Sequence, residues 1–362
     1  MNLLILSRKF GGVVGGVEKM VLLLAQQMQL RGHSVTLVSL DFPEATPFYS
    51  FPQGVRWVKL GIGNPDEKAS TNIRFSRILA IRRLINELEI DAVVGFQIGS
   101  FALVRFATIG TGVRSIAAER NAPTLFDFIR NGRLKRFVSF AILSLASVVS
   151  VQLMENKKLY PKWLRSRIAV NPNPISTVKI QDKDKNHQRT QKIILYVGRV
   201  TFQKNLEVLV RAISLLDSTP VLRIVGEGDE LEYIQSLANA EKVNLELFKF
   251  TDDLKSLYLE ADIFCLPSRW EGFPNVVGEA LAHGLPVVGF AECAGIKSLV
   301  RNFENGVIAD GNDNAISLSI ALNLALSKDW DTSIIRNSIS EFSLQSFADT
   351  WESTLFPRIK DE

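Results

Sequence analysis

The chain has 362 residues, 46 % of them hydrophobic and 22 % charged, with a mean hydropathy of +0.12, which allows two domains of ordinary size, each with a sizeable core. Charge is divided unevenly: residues 1–175 hold 23 Lys and Arg against 11 Asp and Glu, a net of +12, and the rest of the chain carries a net of −8. Two cysteines without metal-ligand spacing, Cys265 and Cys293, and three scattered histidines exclude a disulfide framework and a cysteine–histidine metal site, and the cysteines read as free buried thiols in a reducing compartment.

The basic half points to an anionic partner, either nucleic acid or an acidic membrane face, or to a merely solvated surface. No secretory leader is expected: the apolar run in MNLLILSRKF is short and its basic residues follow it. The longest apolar stretch, FVSFAILSLASVVSVQL from Phe137 to Leu153, carries four serines and falls short of the roughly 20 apolar residues of a spanning helix. It is predicted to be a buried helix running into a strand.

In chain order, NLLILS reads as a short buried strand, followed by a glycine-rich loop and a helix over EKMVLLLAQQMQL that stops at Gly32. SVTLVSL, DAVVGF, RSIAA and VVSVQ read as further strands with helical segments between them. The segment NIRFSRILAIRRLINELE reads as an amphipathic helix with Arg74, Arg77, Arg82 and Arg83 on its polar side. The polar tract Ser176 to Lys192 predicts a domain boundary. Alternation then restarts through IILYVGR, NLEVLVRAISLL, VLRIVG, LEYIQSLANA, NLELFKF, DDLKSLYLEA and DIFCLPS. Near-continuous apolar strands separated by helices predict parallel sheets covered on both faces. The fold class is therefore α/β: two doubly wound, Rossmann-like domains in tandem with a cleft between them. The expected divisions are 1–175, 176–344 and a last helix-like segment, 345–362, that crosses back to the first domain.

Three stretches carry candidate chemistry. Gly11 to Lys19, GGVVGGVEK, places glycines before a helix N-terminus, where backbone amides meet anions; its spacing fits neither a dinucleotide fingerprint nor a P-loop. Gly198 to Asn205, GRVTFQKN, puts Arg199 and Lys204 beyond a strand end, a cation pair suited to a diphosphate. In WEGFPNVVGEALAHGLPVV, Pro274 is placed to start a helix, with Glu271 before it and Glu279 inside it. Eight residues of helix rise about 12 Å, so two carboxylates at that spacing do not grip one atom; they suit the two ends of a nucleotide sugar.

These segments together resemble the retaining glycosyltransferases of family 4. The likeness includes Glu271-x7-Glu279 between CLPSRW and ALAHGLPVV, the GRVTFQKN element, GGVEKMVLLLAQQMQLRGHSVTLVS, VNPNPI and VGEGDELEYIQSLA, and it spans the chain in order. It implies the GT-B fold, in which the two Rossmann-like domains face each other across a cleft. The first domain would bind acceptor and the second the nucleotide sugar. Arg199 and Lys204 would hold the donor diphosphate, Glu279 the ribose hydroxyls and Glu271 the donor sugar. The backbone of Phe273, Pro274 and Asn275 would contact sugar hydroxyls or phosphate, and Gly15 and Gly16 would face the diphosphate. No metal and no cofactor is implied; the donor, a UDP sugar, is a substrate.

Many relatives carry a reaction-centre histidine where this chain has Glu119, Arg120 and Asn121, and a glutamate where it has Ala294 to Ser298. The expected function is retaining transfer of a hexose or N-acetylhexosamine to a lipid-linked or glycan acceptor in surface-polysaccharide synthesis, by a cytoplasmic protein peripheral on the inner face of the plasma membrane. The alternatives are a nucleotide-sugar-binding protein without catalysis and a nucleic-acid binder. The latter is disfavoured because no aromatic interleaving or recognition module is present.

Overall fold

The computed structural model describes residues 1–13, 15–176, 178, 191–249, 254–311 and 313–357. The chain divides into two compact units, Met1–Asn173 with Gln345–Glu362, and Pro174–Leu344. Most of the polar tract predicted as a boundary, Ser176 to Lys192, lies outside the described residues.

The first unit carries seven strands, β1 (Asn2–Ser7), β2 (Ser34–Ser39), β3 (Arg56–Lys59), β4 (Ala92–Phe96), β5 (Arg114–Ala118), β6 (Val148–Val151) and β7 (Ile168–Val170). They lie in the order β3-β2-β1-β4-β5-β6-β7, and every pairing is parallel. The helices are α1 (Gly16–Leu30), α2 (Thr71–Glu87), α3 (Gln97–Ala107), α4 (Gly132–Leu143), α5 (Met154–Lys158) and α6 (Lys162–Arg165). Alternate residues of one strand serve opposite faces. Leu3 and Ile5 of β1 pack with Val21, Leu24 and Met28 of α1, while Leu4 and Leu6 pack with Ile81 of α2 and Phe101 of α3. Both faces are dry, which is why these strands read as unbroken apolar runs.

The second unit carries β8 (Ile193–Val197), β9 (Val221–Val225), β10 (Asn244–Phe248), β11 (Ile263–Leu266), β12 (Val287–Phe290) and β13 (Gly306–Ala309), in the order β10-β9-β8-β11-β12-β13. Its helices are α7 (Leu206–Ser214), α8 (Leu231–Ala240), α9 (Leu254–Glu260), α10 (Asn275–Ala282), α11 (Ala294–Leu299), α12 (Ala315–Ser327) and α13 (Thr332–Asn337). In each sheet the strand order reverses beside the first strand, between β1 and β4 and between β8 and β11. Open α/β sheets bind ligands beyond the strand ends at such switch points.

The last helix, α14 (Leu344–Leu355), packs within the first unit. Its Trp351 is fully buried in the same cluster as Leu3, Ile5 and Ile116, and stacks on Phe96 at 6.2 Å. Arg31, which caps α1, reaches Asp349 and Glu352 of α14 at 2.6 Å each.

Two local expectations are corrected. The stretch from Phe137 is not a buried helix: α4 ends at Leu143, and its Leu134, Phe137 and Val138 stand exposed, Phe137 at 71 %. Arg77 is not on the polar side of α2; it is 4 % exposed, and its guanidinium donates to the carbonyls of Ile62, Gly63 and Asn64. Among the described residues, no helix is long and apolar enough to cross a membrane.

Candidate functional site

The switch point of the second unit brings three loops together. After β8 the chain turns at Gly198, whose φ of +149° favours glycine, and passes Arg199 to a 3-10 turn at Phe202–Lys204 and a left-handed Asn205 before α7 begins at Leu206. Lys204 therefore precedes the helix. Val200 donates to the Glu227 carbonyl and Glu230 donates back to Val200. A Cβ at Gly228 would stand 2.0 Å from the Val200 carbonyl oxygen, so the loop after β9 needs a glycine to lie this close.

The third loop follows β11 and is stitched to the first by pairs far apart in sequence. Arg269 donates its amide to the Gln203 carbonyl at 2.9 Å, and Gln203 donates its side chain to the Trp270 carbonyl at 2.8 Å. The Arg269 guanidinium lies over the Phe202 ring at 4.1 Å and bonds the Phe202 carbonyl. Asn205 donates to the Pro267 carbonyl and to Asp313. Lys204 Nζ meets Glu271 Oε1 at 2.6 Å, and both side chains are largely buried, at 14 % and 9 % exposure. The structure thus joins two residues that sequence reasoning assigned to different parts of a ligand. Arg199, by contrast, is exposed and forms no ion pair among the described residues.

Pro274 precedes α10, with φ −79° and ψ 86°, and the Asn275 amide turns back to the Phe273 carbonyl at 3.0 Å, an inverse γ-turn. Of the three residues whose backbone was expected to meet a ligand, Pro274 has no amide and Asn275's is engaged. The Phe273 amide, without an internal bond among the described residues, is the one left to donate. The Phe273 ring is buried edge-on against Phe342 at 5.7 Å.

Glu279 lies in the second turn of α10, half-buried. Its Oε2 accepts from the Tyr258 hydroxyl at 3.1 Å, and the Tyr258 ring stacks on His283 at 4.9 Å. Burial, followed by the Glu279 charge, holds the Tyr258 phenol well above its ordinary range, so it donates. Burial pushes His283 down toward the neutral form, and its Nδ1 lies 2.7 Å from the Glu279 carbonyl. Sequence reasoning missed Tyr258 and His283 as supports of Glu279; only His283, at i+4, carried a local signal. Burial also raises Cys293, to about 12, and Cys265, and both stay free, buried thiols.

At the first unit's switch point, Gly15 caps α1 without a side-chain bond, and Gly16 is the helix's first residue. Part of the preceding loop is already committed: the amides of Phe10 and Gly11 donate to the buried Asp41 carboxylate at 2.8 and 3.1 Å. Glu18 sits in the first turn, its carboxyl raised chiefly by burial, with the Tyr49 phenol raised beside it. Glu119, Arg120 and Asn121 follow β5 but separate in space. Glu119 and Asn121 line a cavity of about 910 Å³, whereas Arg120 turns away beneath Phe96 and Trp351, with its guanidinium 4.9 and 5.3 Å from their rings. Glu119 Oε1 is buried without a partner, and burial lifts its carboxyl to about 7 against the pull of Arg120. Arg120 is itself pushed down to about 9 by burial.

Residues 15–152 match the family model described as glycosyl transferase 4-like domain, and residues 178–342 match that of glycosyl transferases group 1. The chain is 24 % identical over 357 residues to the GalNAc-alpha-(1->4)-GalNAc-alpha-(1->3)-diNAcBac-PP-undecaprenol alpha-1,4-N-acetyl-D-galactosaminyltransferase of Campylobacter jejuni, over 93 % of this chain and 94 % of that one. Its fold matches that of the lipopolysaccharide outer core galactosyltransferase WaaB, with TM-score 0.80 at 15 % identity over 99 % of this chain and 100 % of that one. It also matches Anabaena Alr3699/HepE in complex with UDP-glucose, with TM-score 0.74 at 14 % identity over 98 % and 99 %.

Proposed function

This chain belongs to the GT-B glycosyltransferases related to bacterial surface-polysaccharide enzymes, and from that premise we propose that it transfers a hexose or N-acetylhexosamine from a UDP sugar to a lipid-linked or glycan acceptor, with retention of anomeric configuration. The observation that carries the reading is the second unit's switch point, where the loops after β8 and β11 hold an exposed Arg199 and a buried Lys204–Glu271 pair, and α10, which follows the second of them, carries a tyrosine-held Glu279. UDP-glucose in a structure of the same fold and a lipid-diphosphate acceptor in the name of a relative support the substrate classes.

In this reading Arg199 and Lys204 offset the charge of the donor diphosphate, without calling on a metal ion. Glu279, with one oxygen taken by Tyr258, uses the other for the ribose hydroxyls. Glu271 orients the donor sugar, and the Phe273 amide donates to a sugar hydroxyl or phosphate. Gly15 and Gly16 keep the anion-facing role that the start of α1 gives them. The acceptor oxygen attacks the anomeric carbon on the face from which the phosphate departs. The sugar–phosphate bond breaks, and the acceptor proton passes to the leaving phosphate oxygen. The protein's main contribution is to stabilise that leaving group, and no pair of carboxylates acts as acid and base. The chain works at the cytoplasmic face of a membrane, to which its basic half is drawn.

The test is a thermal-shift screen with nucleotide sugars followed by a transfer and hydrolysis assay with the donor that binds. A UDP sugar is expected to raise the melting temperature and to be turned over, and Arg199→Ala is expected to lose both effects. Near-wild-type turnover in Arg199→Ala and Glu271→Ala would overturn the site assignment. Binding without transfer or slow hydrolysis would favour a non-catalytic sugar-nucleotide protein.

A further inference from the structure

Among the described residues, α12 (Ala315–Ser327) is the only helix without a charged side chain. Its sequence, AISLSIALNLALS, sets an aliphatic residue at every second position from Ile316 to Leu324. Two residues of helix turn the chain by about 200°, so successive members of that series face opposite sides. Leu318 and Leu322 are buried, together with Ala321 and Ala325, where the helix packs on α7, β12 and β13. Ile316, Ile320 and Leu324 point the other way and form one outward ridge at four-residue spacing, 65 %, 58 % and 47 % exposed. The ridge does not lie on a frayed end: the Asn314 side chain accepts from the amides of Ile316 and Ser317, which fixes the first turn. A helix apolar on all sides belongs in an interior, and this unit covers only one side of it.

The two ends of α12 differ in charge. Asp310 and Asp313 precede it, the Asp313 side chain 50 % exposed, and Lys328 follows it, ahead of Asp329. Lys328 lies over the Trp330 ring and pairs with no carboxylate among the described residues. Positions 316 and 324 are equally far from 320, and 313 and 328 nearly so. We propose that α12 is the interface of a twofold dimer of this chain, with the axis passing beside Ile320. Antiparallel packing about that axis sets Ile320 against its own copy, Ile316 against the partner's Leu324, and Asp313 beside the partner's Lys328. A ridge at four-residue spacing fits the groove beside the same ridge of a second helix, and an uncharged face meets itself without like-charge repulsion. The unlike ends attract and the helix dipoles oppose. An acidic membrane is a poorer occupant, because a helix lying on one flanks its apolar face with Lys and Arg, and α12 has neither. One helix face is smaller than the ~800 Å² per partner of a standard interface, so the dissociation constant is expected in the micromolar range. Nothing in this pairing depends on the transfer reaction proposed above.

The test is sedimentation velocity of the full chain between about 1 and about 100 μM. The mass is expected to rise from 40.4 kDa toward twice that value across the series. Ile320→Asp sets two carboxylates against each other on the axis and should weaken the dimer more than about tenfold, while the melting temperature at low concentration stays that of the parent. Cys265 and Cys293 are fully buried, so in Ile320→Cys only the new thiol reacts with a short bis-maleimide. A cross-linked dimer is expected there and not in Leu30→Cys, whose position on α1 of the first unit is 68 % exposed. The proposal is overturned if the parent is still a monomer at about 100 μM, if Ile320→Asp dimerises like the parent, or if the two cysteine variants cross-link equally. Binding of the monomeric chain to anionic vesicles that Ile320→Asp abolishes would also overturn it, and would give the ridge to a membrane.

Discussion

Glu271→Gln and Lys204→Met test whether the buried pair is a resting-state clasp that a diphosphate opens. The 2.6 Å contact between side chains 14 % and 9 % exposed is a charge-assisted bond with little water to replace it. Removing one member of a buried pair costs about 3–5 kcal/mol when the other charge is left uncompensated. The glutamine retains an acceptor for Lys204 and the exposure is not zero, so Glu271→Gln should cost about 2 kcal/mol and Lys204→Met about 3. Because each single change already removes the pairing of charges, the double variant should lose little more than the worse single one, a coupling of about 2 kcal/mol. Urea unfolding, followed through the fluorescence of the chain's five tryptophans, of which the buried Trp270 adjoins the pair, measures all three. UDP titration then gives effects of opposite sense. Lys204→Met should weaken UDP about tenfold, the loss of one charge-assisted bond, whereas Glu271→Gln should hold or tighten it by releasing the lysine. Additive stability losses within about 0.5 kcal/mol, or equal weakening of UDP in both variants, would refute the clasp.

Three further outcomes follow from the geometry. Tyr258→Phe removes the hydroxyl that Glu279 Oε2 accepts, and should cost about 1 kcal/mol of stability and loosen UDP more than 2′-deoxy-UDP, read by melts and by titration of both nucleotides. Trp351→Ala empties a fully buried site in the first unit's core and should cost about 3–5 kcal/mol by urea unfolding; a loss under 1 kcal/mol would mean α14 is not part of that core. Glu119 takes up its proton near pH 7 when folded and near 4.5 when unfolded, so the native state binds more protons between those values. Its contribution is fully present below about pH 4.5 and is lost as pH rises through 7, so the parent should lose about 2 kcal/mol relative to Glu119→Gln between pH 5 and 7.5, and parallel pH profiles would refute the buried acid.

The strands that form the middle of each sheet were legible because burial on both faces leaves no room for polar residues, as in NLLILS and IILYVG. Arg56–Lys59 was not, since an edge strand with half-exposed residues and two cations reads as a loop, and Ile168–Val170 is only three residues long. The candidate site was legible as a set of segments but not as a set of contacts. Lys204 and Glu271 stand 67 residues apart and Tyr258 and Glu279 21 apart, and no local period links positions that only strand order makes neighbours.

The misreading of α4 has a different cause. Apolar content reports that a side chain gains by leaving water, not that the fold supplies something to cover it. In Phe137–Leu153 the strand half found its cover in a sheet, whereas Leu134, Phe137 and Val138 of the helix did not, although α4 is seated closely enough to require Gly132. A helix fixed in position with its apolar side uncovered is costly in a chain that acts alone in water and marks a surface for a partner, protein or membrane. The basic residues counted in the first half take on meaning from the same placement. Arg8, Lys68, Arg74 and Arg77 line the cavity that α4 walls, so four of those cations share one place in the fold.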